Sequence, residues 1–188
     1  MVNERSTNLP CIWLTGLSGS GKSTTATALA QRLDALGHRV RILDGDAVRA
    51  RFSPTLGYSR QDREANILRV AHMAREALDN GEIAICALIS PYREMREHAR
   101  DIIGAGSFIE VFVDAPLAVC ESRDLKGLYR RARNGTLTGM TGIDDPYEAP
   151  LSPDVRLTTA ATTPEESVET LLRILEQRGA IPAASARR

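Results

Sequence analysis

Residues 16–23 read Gly-Leu-Ser-Gly-Ser-Gly-Lys-Ser, a glycine followed after four intervening residues by Gly21-Lys22-Ser23. A phosphate chain needs that spacing. The glycines let the backbone curl until successive N–H groups, from Gly16 and Ser18 through Gly19, Ser20 and Gly21 to Thr24, point at one anion. The helix that follows aims its positive end at the same point. In this chemistry Lys22 neutralises the β- and γ-phosphates and Ser23 is a ligand to Mg²⁺. A chance Gly/Ser turn would not also have an apolar strand before it and a helix after it.

Downstream, Asp44-Gly45-Asp46 closes an apolar run. As a local pattern it reads equally as a plain turn or as carboxylates set beside a phosphate site, where one supports the metal and the other takes a proton. The cations are unusual. Of 24 basic residues only Lys22 and Lys126 are lysine, and each falls in a segment suited to phosphate. The loop pattern is shared by kinases, GTPase switches and motors. No Asn-Lys-x-Asp base-reading motif occurs, and motors are generally larger. The arginine-bearing stretch 125–150 has no steady period and reads as a lid that closes over phosphates. These features predict a small-molecule kinase.

Positioning such residues requires strands feeding loops and helices. Cys11–Thr15, Val40–Leu43, Ile83–Ile89, Phe108–Val113 and a short piece near Val155 are apolar enough for strands buried on both faces. Between them, apolar residues recur at helical spacing from Ala26 to Leu36, from Ile67 to Leu78 and from Val168 to Leu175. Ser59 with Asp62, and Thr163 with Glu166, carry the capping-box pattern. Ser90-Pro91 reads as the cap of a further helix. The stretch after Asp46, through Pro54 and Gly57, reads as loop and broken helix. Strands alternating with helices predict an α/β fold, a P-loop nucleotide-kinase-like three-layer sandwich whose parallel sheet is flanked by helices. One domain is expected over 1–188, with 1–10 and 179–188 flexible.

Formal net charge is zero, with 24 basic and 24 acidic residues, which argues against nucleic acid as a partner. Cys11, Cys86 and Cys120 lie in or beside apolar runs and lack metal-ligand spacing, so reduced, buried thiols are expected. Met1 to Pro10 has no apolar signal core, and no stretch is long enough to span a bilayer. A cytoplasmic protein without membrane contact follows as an expectation. Trp13 and Tyr92 are assigned to the core.

Further segments go beyond the loop: Leu43-Asp-Gly-Asp46 with Val48-Arg49, Asp62-Arg63-Glu64-Ala65-Asn66-Ile67, Ile89-Ser-Pro-Tyr-Arg93, Lys126-Gly-Leu-Tyr129, and Thr141-Gly-Ile-Asp-Asp-Pro-Tyr-Glu148. Their order and spacing, from about Cys11 to Thr159, resemble the adenylyl-sulfate kinase family. The resemblance implies transfer of the γ-phosphoryl of Mg-ATP to the 3′-hydroxyl of adenylyl sulfate, a nucleotide-kinase-like fold and commonly a homodimer; association with a sulfurylase is a further expectation. It implies Asp46 as the group that orients the acceptor and takes its proton, with Asp44 and Ser23 on the metal side. Arg49, Arg63 and Asn66 match positions at the sulfate-phosphate and sugar end of the substrate. Arg123 with Asp124 matches an adenine-side ATP contact, and Lys126, Arg130 and Arg133 match cations of the lid. Ser90 matches a serine discussed as a phosphate acceptor, alongside its plain reading as a helix cap.

The family usually sets two phenylalanines against the substrate adenine, where this chain has Tyr58 and Met140. Its Asp-Gly-Asp-Asn is here Asp-Gly-Asp-Ala47, and a usual lysine is Thr138. These departures leave open a kinase of another nucleotide, such as a cytidine derivative. A non-catalytic nucleotide-binding subunit and an NTPase switch are the remaining alternatives.

Overall fold

The computed structural model describes residues 9–52 and 54–183. Its strands are β1 (Cys11–Thr15), β2 (Val40–Asp44), β3 (Ile83–Ala87), β4 (Phe108–Asp114) and β5 (Val155–Thr158). All pair in parallel, in the order β2-β3-β1-β4-β5. The helices are α1 (Lys22–Ala35), α2 (Gly45–Phe52), α3 (Arg60–Asp79), α4 (Arg93–Ile103), α5 (Leu117–Arg123), α6 (Leu128–Arg133) and α7 (Pro164–Gln177).

The central strand explains the layering. Cys11 and Trp13 of β1 face a core shared with α3 and α4, while Ile12 and Leu14 face one shared with α1 and α7. A strand buried on both faces has no polar side, so β1 reads as one apolar run. A third, smaller cluster joins Ala115, Cys120, Tyr129 and Met140. All three cysteines are free and buried. Among the described residues no helix is long and apolar enough to cross a membrane.

Several local expectations change. The stretch after Asp44 is helix from Gly45, because Asp44 Oδ1 accepts from the amides of Asp46 (3.0 Å) and Ala47 (3.2 Å) and so starts α2. A Cβ at Gly45 would sit 2.9 Å from Leu88 Cγ, which explains a glycine inside that first turn. At Ser59 only half of the capping box forms. Its hydroxyl accepts from the Asp62 amide at 3.1 Å and donates to the Asp62 carboxylate at 2.7 Å. At Thr163 both halves form.

Ser90 is not a helix cap: α4 starts at Arg93 with Tyr92 at the cap position. Ser90 instead takes a left-handed backbone (φ 39°), and its Oγ accepts from the Trp13 indole at 3.2 Å. β3 ends at Ala87, before the expected Ile89. At the far end Ile181 is buried in the same cluster as Leu175, and the Ala180 amide donates to the Leu175 carbonyl at 2.9 Å. The expectations for residues 1–8 and 184–188 lie outside the described residues.

Candidate active site

The chemistry-bearing residues gather at the carboxyl ends of the parallel strands, where open α/β sheets leave a crevice. Residues 16–21 leave β1 and turn into α1. A Cβ on Gly16 would collide with the Val113 carbonyl oxygen, so only glycine lets the chain pass β4 there. Lys22, at the first turn of α1, folds back over the loop and donates to the carbonyls of Gly16 (2.9 Å) and Leu17 (2.7 Å). Burial lowers its pKa to about 8, against the opposing pull of the Asp46 carboxylate. Ser20 Oγ is buried without a partner among the described residues.

Ser23 Oγ donates to Asp44 Oδ2 at 2.8 Å, so hydroxyl and carboxylate meet at the mouth of the loop. Such an all-oxygen pair suits Mg²⁺, which is usually held by one or two protein oxygens with waters and phosphates supplying the rest. Asp46 is exposed on the first turn of α2. It is bonded by Lys126 across 80 residues of sequence. That bond raises the pKa of Lys126 and keeps it charged.

On the neighbouring side, Arg49 donates to the Gly57 carbonyl and its guanidinium lies 5.0 Å from the Tyr58 ring centroid. Arg63, buried on α3, donates to the carbonyls of Tyr58 (2.9 Å) and Gly139, with the Asp145 carboxylate 3.7 Å away. One guanidinium thereby ties the segment before α3 to the segment after α6. Asn66 donates to the Gly45 carbonyl at 3.3 Å, while its Oδ1 is buried with no partner among the described residues. Tyr58 is 57% exposed and Met140 only 6%.

Arg123 does not point freely at solvent. Its fork donates to the carbonyls of Gly19 (3.1 Å) and Thr159 (2.8 Å). Arg133 pairs with Glu121, which turns it toward α5 rather than the loop.

The stretch 141–149 is tightly held. Tyr147 Oη and Thr15 Oγ1 lie 3.0 Å apart, and Tyr92 Oη donates to Asp145 at 2.8 Å. Arg96 bonds Glu110 (2.7 Å) and the carbonyls of Ser90 (2.7 Å) and Glu148 (2.8 Å). Thr15, Tyr92, Arg96 and Tyr147 have no local pattern that marks them. Tyr92 and Tyr147 do stand inside resemblance segments, which was the one available signal.

The comparisons with known proteins agree with one another. The profile for adenylylsulphate kinase matches residues 9–158. An adenylyl-sulfate kinase from a Picosynechococcus species is 50% identical over 170 residues, covering 90% of this chain and 95% of that protein. One from Gloeothece citriformis is 51% identical over 168 residues, covering 89% and 94%. Among solved structures, a Mycobacterium tuberculosis APS kinase in complex with AMPPNP and APS superposes with a TM-score of 0.86. It is 42% identical and covers 89% of this chain and 98% of that one.

Proposed function

The chain belongs to the adenylylsulphate kinase family, and from that premise we propose how its residues carry the reaction. It is an ATP-dependent kinase that converts adenylyl sulfate to 3′-phosphoadenylyl sulfate, with ADP as the second product. The oxygen of the 3′-hydroxyl attacks the γ-phosphorus. The bond from that phosphorus to the β–γ bridging oxygen breaks, and the electron pair leaves with ADP. The acceptor's proton passes to the Asp46 carboxylate.

In this reading the amides of residues 16–24 hold the polyphosphate and Lys22 exchanges its loop carbonyls for phosphate oxygens. Ser23 and Asp44 would hold Mg²⁺, which supplies charge neutralisation across the β- and γ-phosphates. Lys126 moves from Asp46 toward the phosphates, leaving the carboxylate free to receive the proton. Arg123 borders the ATP adenine. Arg49 and Arg63 offer planar pairs of donors to the sulfate-phosphate end of the acceptor, and the unpartnered Asn66 Oδ1 suits a sugar hydroxyl. Tyr58, exposed, supplies the face for the acceptor adenine, with Met140 backing the site from inside its cluster. Ser90 lines the acceptor side behind β3, its hydroxyl steadied by Trp13. Residues 125–150 act as the lid, and the working assembly is a cytoplasmic homodimer with a sulfurylase as associate.

The observation that supports this reading most directly is the convergence of loop, Asp44–Asp46 and Lys126 at one mouth. The test is ADP release by purified protein with Mg-ATP, with adenylyl sulfate present or replaced by cytidine, uridine and guanosine nucleotides. Release that needs adenylyl sulfate, with the 3′-phosphorylated product identified by mass, is the expected result. Turnover only with another nucleotide would overturn it.

A further inference from the structure

A loop can turn its amides toward a phosphate only if its carbonyls are satisfied on the other side. Each carbonyl from Gly16 to Ser20 accepts from a side chain. Lys22 serves Gly16 and Leu17. The next donors come from outside the loop altogether: Tyr129 Oη to Ser18 O at 2.9 Å, Arg123 to Gly19 O at 3.1 Å, and Thr159 Oγ1 to Ser20 O at 2.6 Å. They belong to α6, to the end of α5 and to the residue after β5.

We propose that Tyr129 and Thr159 are positioning residues for phosphoryl transfer. Acting through the carbonyls of Ser18 and Ser20, they hold the amides of Gly19 and Gly21, which share the same peptide planes, in the orientation that receives the nucleotide phosphates. The inference rests on reading residues 16–24 as the Mg-ATP site.

Tyr129 is 2% exposed, and its ring packs with Cys120 and Met140. Burial pushes its pKa well up, so the hydroxyl stays a donor. A buried phenol needs an acceptor, and here it is a backbone atom of the nucleotide loop. The same bond makes the loop's shape depend on the seating of α6. Thr159 is tied in turn, its amide donating to the Asp114 carbonyl at 3.1 Å and its own carbonyl accepting from Arg123. The loop's outer rim is therefore one connected set of hydrogen bonds running from α6 to the end of the sheet.

The test uses the full chain with Tyr129→Phe and Thr159→Val, each of which keeps the shape and removes one hydroxyl. Mg-ADP binding is followed by calorimetry, together with the KM for each substrate. A lost bond to a backbone carbonyl predicts Mg-ADP affinity weaker by about five- to tenfold in each variant. The KM for adenylyl sulfate should stay within about twofold of the wild type, and Thr159→Ser should recover the affinity. Unchanged Mg-ADP affinity in both variants would overturn the proposal. So would a uniform rise in both KM values with a lowered melting temperature and no recovery in Thr159→Ser, since that pattern marks a merely structural role. Wild-type protein that binds no Mg-ADP would remove the underlying reading of the loop, an outcome distinct from either.

Discussion

The nucleotide loop and the acceptor side are built by opposite means. The loop leaves a fully buried strand and enters a helix whose Lys22 is itself buried, and each loop carbonyl from Gly16 to Ser20 has a partner. Its binding groups are backbone amides in place before any nucleotide arrives. On the acceptor side the groups are long side chains, from Lys126 at the surface through the half-buried Arg49 to the buried Arg63. Lys126 sits on Asp46, and Arg49 and Arg63 sit on backbone carbonyls near Tyr58. In the proposed reading these cations exchange protein oxygens for substrate oxygens. The difference teaches where binding cost lies: in the proposed reading the loop amides are pre-organised and Lys22 alone gives up protein contacts there, whereas on the acceptor side every cation does.

The strongest way to break this contrast is Lys22→Ala. Removing the one cation built into the loop should lower kcat/KM by roughly 10²–10³-fold or more, as expected for a donor aimed at transition-state charge. The fold should survive, because the change removes a buried charge rather than a buried apolar group. Turnover within tenfold of the wild type would show that the loop amides suffice. Asp46→Asn should follow, with kcat lower by roughly 10²–10⁴-fold and Mg-ADP affinity retained. Single-turnover transfer measured beside ADP binding separates the two readouts. Parallel losses in both would move Asp46 from proton acceptor to nucleotide ligand.

Arg63→Lys probes the acceptor side alone. A lysine cannot reproduce the fork that reaches both Tyr58 and Gly139, so the KM for adenylyl sulfate should rise by about tenfold while the KM for ATP stays level. Equal rises would place Arg63 in the general scaffold.

The same division appears in what could be read from sequence. The loop, the sheet and its flanking helices were legible because backbone-built features leave local marks: fixed glycine spacing, apolar runs, helical periodicity. α2 was legible only as loop and broken helix. Its start depends on one carboxylate oxygen of Asp44 capping two amides, and Gly45 is there for the close approach of Leu88, whereas glycine and proline nearby suggest a turn. Ser90-Pro91 misled in the same way, since the Trp13 indole holds a serine that would otherwise cap α4. Tyr129, Thr159 and Thr15 act through contacts between residues 74 to 139 positions apart. No local pattern encodes such pairings.

Acidity separates the two regions without mutation. Lys22 binds its proton less tightly than an ordinary lysine because burial penalises its charge, so its cationic form is lost as pH rises through about 8. Lys126 is shifted the other way by its bond to Asp46 and stays charged over that range. Raising pH from about 7 to 9 should therefore lower kcat/KM for ATP several-fold and leave the KM for adenylyl sulfate nearly flat. Bound phosphate restores the charge on Lys22, so kcat at saturating ATP should fall less. A profile in which the acceptor KM rises first would reverse the assignment.

Met140→Phe gives the smallest expected effect and the finest division of the two regions. Met140 belongs by sequence to the acceptor side, yet its side chain is packed with Cys120 and Tyr129, the residue that holds Ser18. A phenylalanine there offers a flat ring where methionine offers a flexible thioether, but it must displace neighbours in a closed cluster, at a cost of roughly 1–3 kcal/mol. The expected result is a melting temperature lower by a few degrees and a KM for adenylyl sulfate within about twofold of the wild type. A markedly tightened acceptor would mean that the new ring swings out to lie on the adenine beside Tyr58. The cluster would then count as part of the acceptor side, and the loop, through Tyr129, would be mechanically joined to the substrate it phosphorylates.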